Sequence, residues 1–241
     1  MKKNSLFLRV FYLNLSFFIL NIFLFFTFPS FDIFFSGLFF IDGQFLDHHY
    51  LIIKTIRSVL KEILIFIPLM ALILLAIISI NKAQNIRRNN KKSLRRLKIF
   101  LIGLIFGPVI GCGVIANLYF KDTWGRARPV HIEEFGGEKI FTPAFIKSDQ
   151  CEKNCSWISG ETSAAFSLTV GTILLKNPIF FLSNLFLGFL VFFCRLSMGG
   201  HFLSDNIFAM IFMIYLAILY KYIIYLYLKK KLFYEKSSNN N

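Results

Sequence analysis

The 241 residues are 56% hydrophobic and 18% aromatic, with 32 Phe and a formal net charge of +14. A water-soluble domain of this length cannot cover so much apolar surface, so the composition points to a polytopic membrane protein. The charge does not indicate nucleic acid, because Lys and Arg fall in short clusters between apolar runs, as in loops that follow the positive-inside rule and touch anionic head groups.

Lys2 and Lys3 precede an apolar segment from Leu6 to Phe28. It is longer than a signal-peptide core, and no small-residue cleavage site follows before Pro29, so it reads as a retained first helix. Ser30 to Tyr50 is Phe-rich but interrupted by Asp32, Gly37, Asp42, Gly43 and Asp47, which suits an interfacial or re-entrant segment. His48 and His49 fall here. A His pair invites a metal, but no partner stands at ligand spacing, and contact with head groups or solvent is the expectation.

Ile63 to Ile80 is the second expected span. Lys82, Arg87, Arg88, Lys91, Lys92, Arg95, Arg96 and Lys98 follow with no acid among them, which assigns that loop to the cytoplasm. The third span, Ile99 to Phe120, carries Gly103, Gly107, Gly111 and Gly113 at spacings that permit close helix contact, and delivers Lys121 to the outer face. Asp122 to Ile158 reads as a long outer loop with Pro129, Pro143, Gly136-Gly137 and the pair Cys151 and Cys155. If that loop faces an oxidising compartment, the pair can form a disulfide. No His stands at zinc-like spacing from it, so neither metal nor cofactor is expected. Cys112 and Cys194 read as packing residues.

Gly160 to Leu175 is a short fourth span, Lys176-Asn177-Pro178 an inner turn, Ile179 to Cys194 the fifth span and Phe202 to Leu228 the sixth. Lys229, Lys230, Lys231 and Lys236 place the tail inside, with disorder expected from Ser237. The expectation is therefore an all-α, single-domain membrane protein of about six transmembrane helices with both termini cytoplasmic. Residues 1–60 form the first helix and outer interfacial segment, 61–228 the core, and 229–241 the tail.

On that topology three polar stretches meet at the outer ends of helices: Lys121 to Pro129, Ser159-Gly160-Glu161, and Arg195 with His201 and Asp205. Each alone also fits a solvated or snorkelling helix flank. Together they supply what phosphoryl transfer needs. Cations neutralise phosphate oxygens, helix-start amides bind an anion, and a His with an Asp four residues later is an oriented nucleophile.

These stretches read Lys121-x6-Arg128-Pro129, Ile158-Ser159-Gly160-Glu161 and Cys194-Arg195-x5-His201-x3-Asp205. In order, they resemble the signature of the type 2 phosphatidic acid phosphatase superfamily, over roughly Ile63 to Leu228. The resemblance implies a helical bundle of that family. Lys121, Arg128 and Arg195 would bind phosphate with the Ser159 hydroxyl and the Gly160 amide, His201 would form a phosphohistidine, and Asp205 would orient it. The family's leaving-group acid is a His where this chain has Glu161. Burial beside a phosphate dianion would raise the proton affinity of Glu161 and make it the acid, whereas pairing with a cation, Arg126 foremost, would leave it a salt-bridge partner with His131 as substitute donor.

Glu133-Glu134, Phe141-Thr142-Pro143-Ala144 and the Cys151 to Glu161 stretch are similar to a bacterial subgroup resembling lipid A phosphatases, in particular those removing the 1-phosphate. There the Cys151/Cys155 pair would clamp the loop leading into the phosphate-binding helix. The implied protein is a bacterial inner-membrane lipid phosphatase with a periplasmic site. Its substrate would be lipid A or a precursor, then undecaprenyl diphosphate or phosphatidylglycerol phosphate. A lipid-to-lipid phosphotransferase would use the same residues; a scaffold or transporter that only binds anionic membrane phospholipids would not need the His201/Asp205 pair. Oligomeric state leaves no mark in the sequence.

Overall fold

The computed structural model describes residues 2–80, 91–175 and 178–238, with side chains over 8–80, 93–175 and 178–230. The cationic run of Lys82, Arg87 and Arg88, the side chains of Lys91, Lys92, Lys231 and Lys236, and the turn at Lys176-Asn177 lie outside the described residues. Helix α1, Lys2–Thr27, ends before Pro29, which opens α2, Ser30–Gly37. Asp42 and Gly43, both at positive φ, turn a two-stranded antiparallel hairpin in which β1, Phe40–Ile41, pairs with β2, Gln44–Phe45. Helix α3, Leu46–His49, follows, and the His49 ring bonds the Ile41 carbonyl at 2.9 Å. The interrupted stretch is thus a folded unit of its own.

Helix α4 runs Leu51–Ile80, so the second span starts earlier than Ile63, and the expected boundary at residues 60 and 61 falls inside it. Lys54, Arg57 and Lys61 make this stretch look too polar to belong to a span, but it holds no Gly or Pro and helix formation continues through it. Helix α5, Lys91–Pro108, widens at its proline into a π-helical segment, Val109–Lys121. A 3-10-turn-rich loop leads to α6, Gly160–Ser167, and α7, Thr169–Thr172. Helices α8, Pro178–Ser197, and α9, Leu203–Ser238, complete the bundle. Ser237 and Ser238 are helical rather than disordered, because the Lys-rich stretch before them has no helix breaker.

Among the described residues five helices are long and apolar enough to cross a membrane: Leu8–Thr27, Leu51–Ile80, Ser93–Lys121, Pro178–Ser197 and Leu203–Lys230. The expected fourth span, 160–175, is broken in two. Around the break the Ser167 and Thr169 hydroxyls bond the carbonyls three residues back, at 2.7 and 2.5 Å, in competition with the helical ladder. Helix α5 lies directly on this break. A Cβ on Gly107 would sit 2.2 Å from the Ser167 carbonyl oxygen, and one on Gly103 would sit 2.7 Å from the Gly171 Cα. Gly111 packs on Met213 in the same way, whereas Gly113 meets no neighbouring helix.

The α6–α7 pair is therefore the centre of the bundle, packed against α5, α8 and α9. Leu60, Leu64, Leu101, Leu104, Leu168 and Val191 form one apolar cluster around it. Phe18, Phe25, Trp157, Phe208 and Phe212 form an aromatic one between α1, α9 and the loop.

Candidate active site

The 122–158 loop is ordered by its own backbone. Ser148 N–H bonds the Trp124 carbonyl at 2.9 Å, Ser156 N–H the Arg126 carbonyl at 2.8 Å, and Val130 N–H the Gly199 carbonyl at 3.1 Å. The last two fasten the first polar stretch to the segments before the second and inside the third.

His201 leaves the end of α8 in a tight turn. The N–H groups of Gly200 and His201 both donate to the Arg195 carbonyl, at 3.0 and 3.2 Å. A Cβ on Gly200 would meet Arg195 Nη2 at 2.4 Å, so this glycine lets the guanidinium lie against the turn. The imidazole is 1% exposed. Its Nδ1 is 2.8 Å from the Ser156 carbonyl oxygen, which can only accept, so Nδ1 carries the proton and Nε2 keeps its lone pair. Burial, with Arg195 and Lys121 nearby, outweighs the acids and pushes the pKa of His201 down to about 3, so the ring is neutral.

The resemblance assigns Asp205 to hold His201 directly. The structure puts Asp205 Oδ2 at 3.7 Å from Nδ1, beyond hydrogen-bond length, because that oxygen is taken by the Ser156 hydroxyl at 2.5 Å and the Phe202 N–H at 2.8 Å. Ser156 thus stands between acid and ring, its carbonyl on the imidazole and its hydroxyl on the carboxylate.

The other Asp205 oxygen accepts from Arg126 Nη1 at 2.6 Å, while Arg126 Nη2 donates to Asp32 at 2.8 Å. All three side chains are fully buried. Arg126 Nε donates to the Thr142 carbonyl, Ser204 donates from both N–H and hydroxyl to Asp32, and the guanidinium lies 4.3 Å from the Phe202 ring centroid. With Lys121 and Arg128 in the motif positions, Arg126 is the cation expected to pair with Glu161; the structure gives it to Asp32 and Asp205 instead, because α2 and the first turn of α9 close over it.

Glu161 is paired by Arg57 of α4, whose Nε and Nη2 both donate to the carboxylate, with Arg195 Nη1 at 3.8 Å. Glu161 lies in the first turn of α6, outside the five spanning helices. Burial raises its pKa, but Arg57 and Arg195 lower it more, and the carboxyl sits below its ordinary range.

The other two cations of the first stretch converge on one residue. Lys121 Nζ donates to Asn154 Oδ1 at 3.0 Å, and Arg128 Nη2 to the Asn154 carbonyl at 2.8 Å. Cys151 and Cys155, which bracket Asn154, form a disulfide. Gly160 admits Lys121, since a Cβ there would lie 3.0 Å from Nζ. The Ser159 hydroxyl faces inward, donating to Thr162 at 2.8 Å, which donates in turn to Asn206 at 2.6 Å. Arg195 is buried and its Nε has no hydrogen-bond partner among the described residues. His131 is exposed in the loop, where burial of part of its ring, Arg128 and Lys139 lower its pKa. Among the described residues no cluster of His, Cys, Asp or Glu is arranged to hold a metal.

Lys121, Arg128, Gly160, Glu161, Arg195, His201 and Asp205 thus come together, and Asp32, Arg57, Asn154 and Ser156 join them without having been singled out in the sequence. Asp32 carries the one usable signal: an acid in a Phe-rich segment at membrane depth needs a cationic partner.

A neutral, buried imidazole thus lies beside Arg195 and Lys121, with the Arg195 Nε unpartnered among the described residues, in a helical membrane bundle. The chain belongs to the PAP2 superfamily, whose family model matches residues 96–229. Three relatives bear the name lipid A 4'-phosphatase. The one from Francisella tularensis subsp. novicida is 43% identical over 121 residues, covering 48% of this chain and 54% of the relative. Those from Rhizobium etli and Rhizobium leguminosarum are 36% and 32% identical, each over 48% of this chain and 45% and 49% of the relative. The chain spans about half the length of the curated relatives it matches. Their names specify the 4'-phosphate, where the sequence resemblance leans to the 1-phosphate. No solved structure matches the chain. Apolar helices and bacterial relatives together make this a bacterial membrane protein.

Proposed function

We propose that the chain is a lipid phosphatase acting on lipid A or a precursor, with the 4'-phosphate the first candidate position because the relatives are named for it. The observation that carries the reading is His201: its proton is held on Nδ1 by a carbonyl, which leaves Nε2 as a neutral nucleophile beside Arg195 and Lys121. Nε2 attacks phosphorus while Lys121, Arg128, Arg195 and the Gly160 amide take the phosphate oxygens. The bond to the lipid oxygen breaks, and that oxygen takes a proton from Glu161. Water then attacks the phosphohistidine, giving its proton to the Glu161 carboxylate, and the P–N bond breaks to release phosphate. Ser159 serves by holding the start of α6 rather than by touching phosphate, and Arg126 and Asp205 fix the wall behind His201.

Glu161 must gain a proton for the first half of this cycle and lose it for the second. The paired carboxylate suits the second half. An arriving phosphate dianion draws on Arg195 and adds like charge, both of which raise the proton affinity of Glu161. The Cys151–Cys155 bridge suits an oxidising compartment, which supports a periplasmic site in the inner membrane with both ends of this chain on the cytoplasmic side.

The test is phosphate release, without acceptor lipid, from lipid A, undecaprenyl diphosphate and phosphatidylglycerol phosphate. Lipid A phosphorylated only at the 4'-position should be cleaved and His201→Ala should be inert; equal release by His201→Ala would end the reading. Glu161→Gln turning over at the wild-type rate from pH 5 to 8 would remove Glu161 from the proton path.

A further inference from the structure

Residues 154–156 belong to none of the three polar stretches, yet they touch two of them. Asn154 accepts from Lys121 and Arg128, Cys155 closes the bridge to Cys151, and the Ser156 carbonyl holds the His201 ring. Asn154 stands at φ 53°, a left-handed conformation that Asn and Gly tolerate. One residue thereby offers two oxygens, one from its side chain and one from its backbone, to two cations that otherwise repel each other. Both oxygens are neutral, so the cations are ordered without being neutralised, and each keeps further N–H groups for an anion. Lys and Arg lose much rotamer freedom when they close on a ligand, and ordering them beforehand removes part of that cost.

We propose that Asn154 is a positioning residue that presets Lys121 and Arg128 for phosphate, and that the Cys151–Cys155 bridge holds it in place. This rests on the site being a phosphate site. The choice of a neutral amide is the critical point. A carboxylate of the same shape would hold Lys121 equally well but would oppose the incoming phosphate.

The experiment titrates the purified, oxidised full chain with inorganic phosphate, read by thermal stabilisation, beside KM and kcat for phosphate release from lipid A. Asn154→Gly keeps the backbone conformation and removes Oδ1; Asn154→Asp keeps the shape and adds charge. The phosphate dissociation constant should rise about tenfold in Asn154→Gly and further in Asn154→Asp, with KM moving more than kcat. Reduction of the bridge, or the double variant Cys151→Ser/Cys155→Ser, should weaken phosphate at least as much as Asn154→Gly. Wild-type affinity in Asn154→Asp would show a merely structural residue and overturn the proposal, as would equal affinity of oxidised and reduced wild type. A wild type that neither binds nor releases phosphate would overturn the site reading and the proposal with it, whereas wild-type release with unchanged affinity in Asn154→Gly would overturn the positioning role alone.

Discussion

Two ion-pair clusters flank His201, and they are built differently. Asp32, Arg126 and Asp205 are fully buried, every Arg126 nitrogen is engaged, and three aromatic rings pack around the guanidinium. Arg57 and Glu161 are 35% and 23% exposed, in one bidentate contact with Arg195 at its edge. The sealed cluster cannot exchange protons or partners without opening the fold. The open one can do both. The proposed cycle, which moves protons on one side of His201 and not on the other, would use this asymmetry.

The largest effect should come from breaking the sealed side. Asp32→Ala leaves Arg126 with one counter-ion instead of two in a dry pocket, and loss of one partner of a buried pair costs about 3–5 kcal/mol. Thermal unfolding in detergent should fall accordingly, and activity with it; a wild-type melting temperature would show that the cluster is not sealed in solution. On the open side the fold should survive. Arg57→Ala removes the principal partner that lowers the Glu161 pKa, so the carboxyl stays protonated to higher pH, and the limb of kcat/KM that falls as pH rises should move to higher pH. A uniform loss at every pH, with no displacement of the limb, would assign Arg57 to packing or binding only.

The last prediction concerns His201 itself. Its pKa falls from an ordinary 6.5 to about 3 on folding, so between those values the unfolded chain binds more protons and stability declines as pH drops. In His201→Gln the loss of thermal stability over that window should be shallower than in wild type. Parallel curves would mean that the ring is not buried as a neutral group.

The three polar stretches were legible because phosphoryl chemistry restricts their residue types and helix ends restrict their spacing. The residues that hold them in place were not, because their contacts bridge long distances in sequence. Asp32 lies 94 residues from Arg126, Arg57 lies 104 from Glu161, and Ser156 lies 45 from His201. Apart from the acid at Asp32 in a Phe-rich segment, nothing local marks such partners. The partner of Arg126 is hidden for the same reason: Asp32 is brought to it by α2 and Asp205 by the first turn of α9. The spans were readable from apolar length, except where charge on one face concealed the start of α4 and where Ser167, Thr169 and Gly171 broke the fourth segment at the centre of the bundle.

Asp32 lies outside the segment that matches the family model, yet it supplies half the counter-charge of an arginine inside it. The two parts are therefore not interchangeable modules. A chimera that grafts residues 96–229 onto another membrane anchor inherits a buried cation whose partner stayed behind. Any functional graft will have to bring an acid of its own to the same depth.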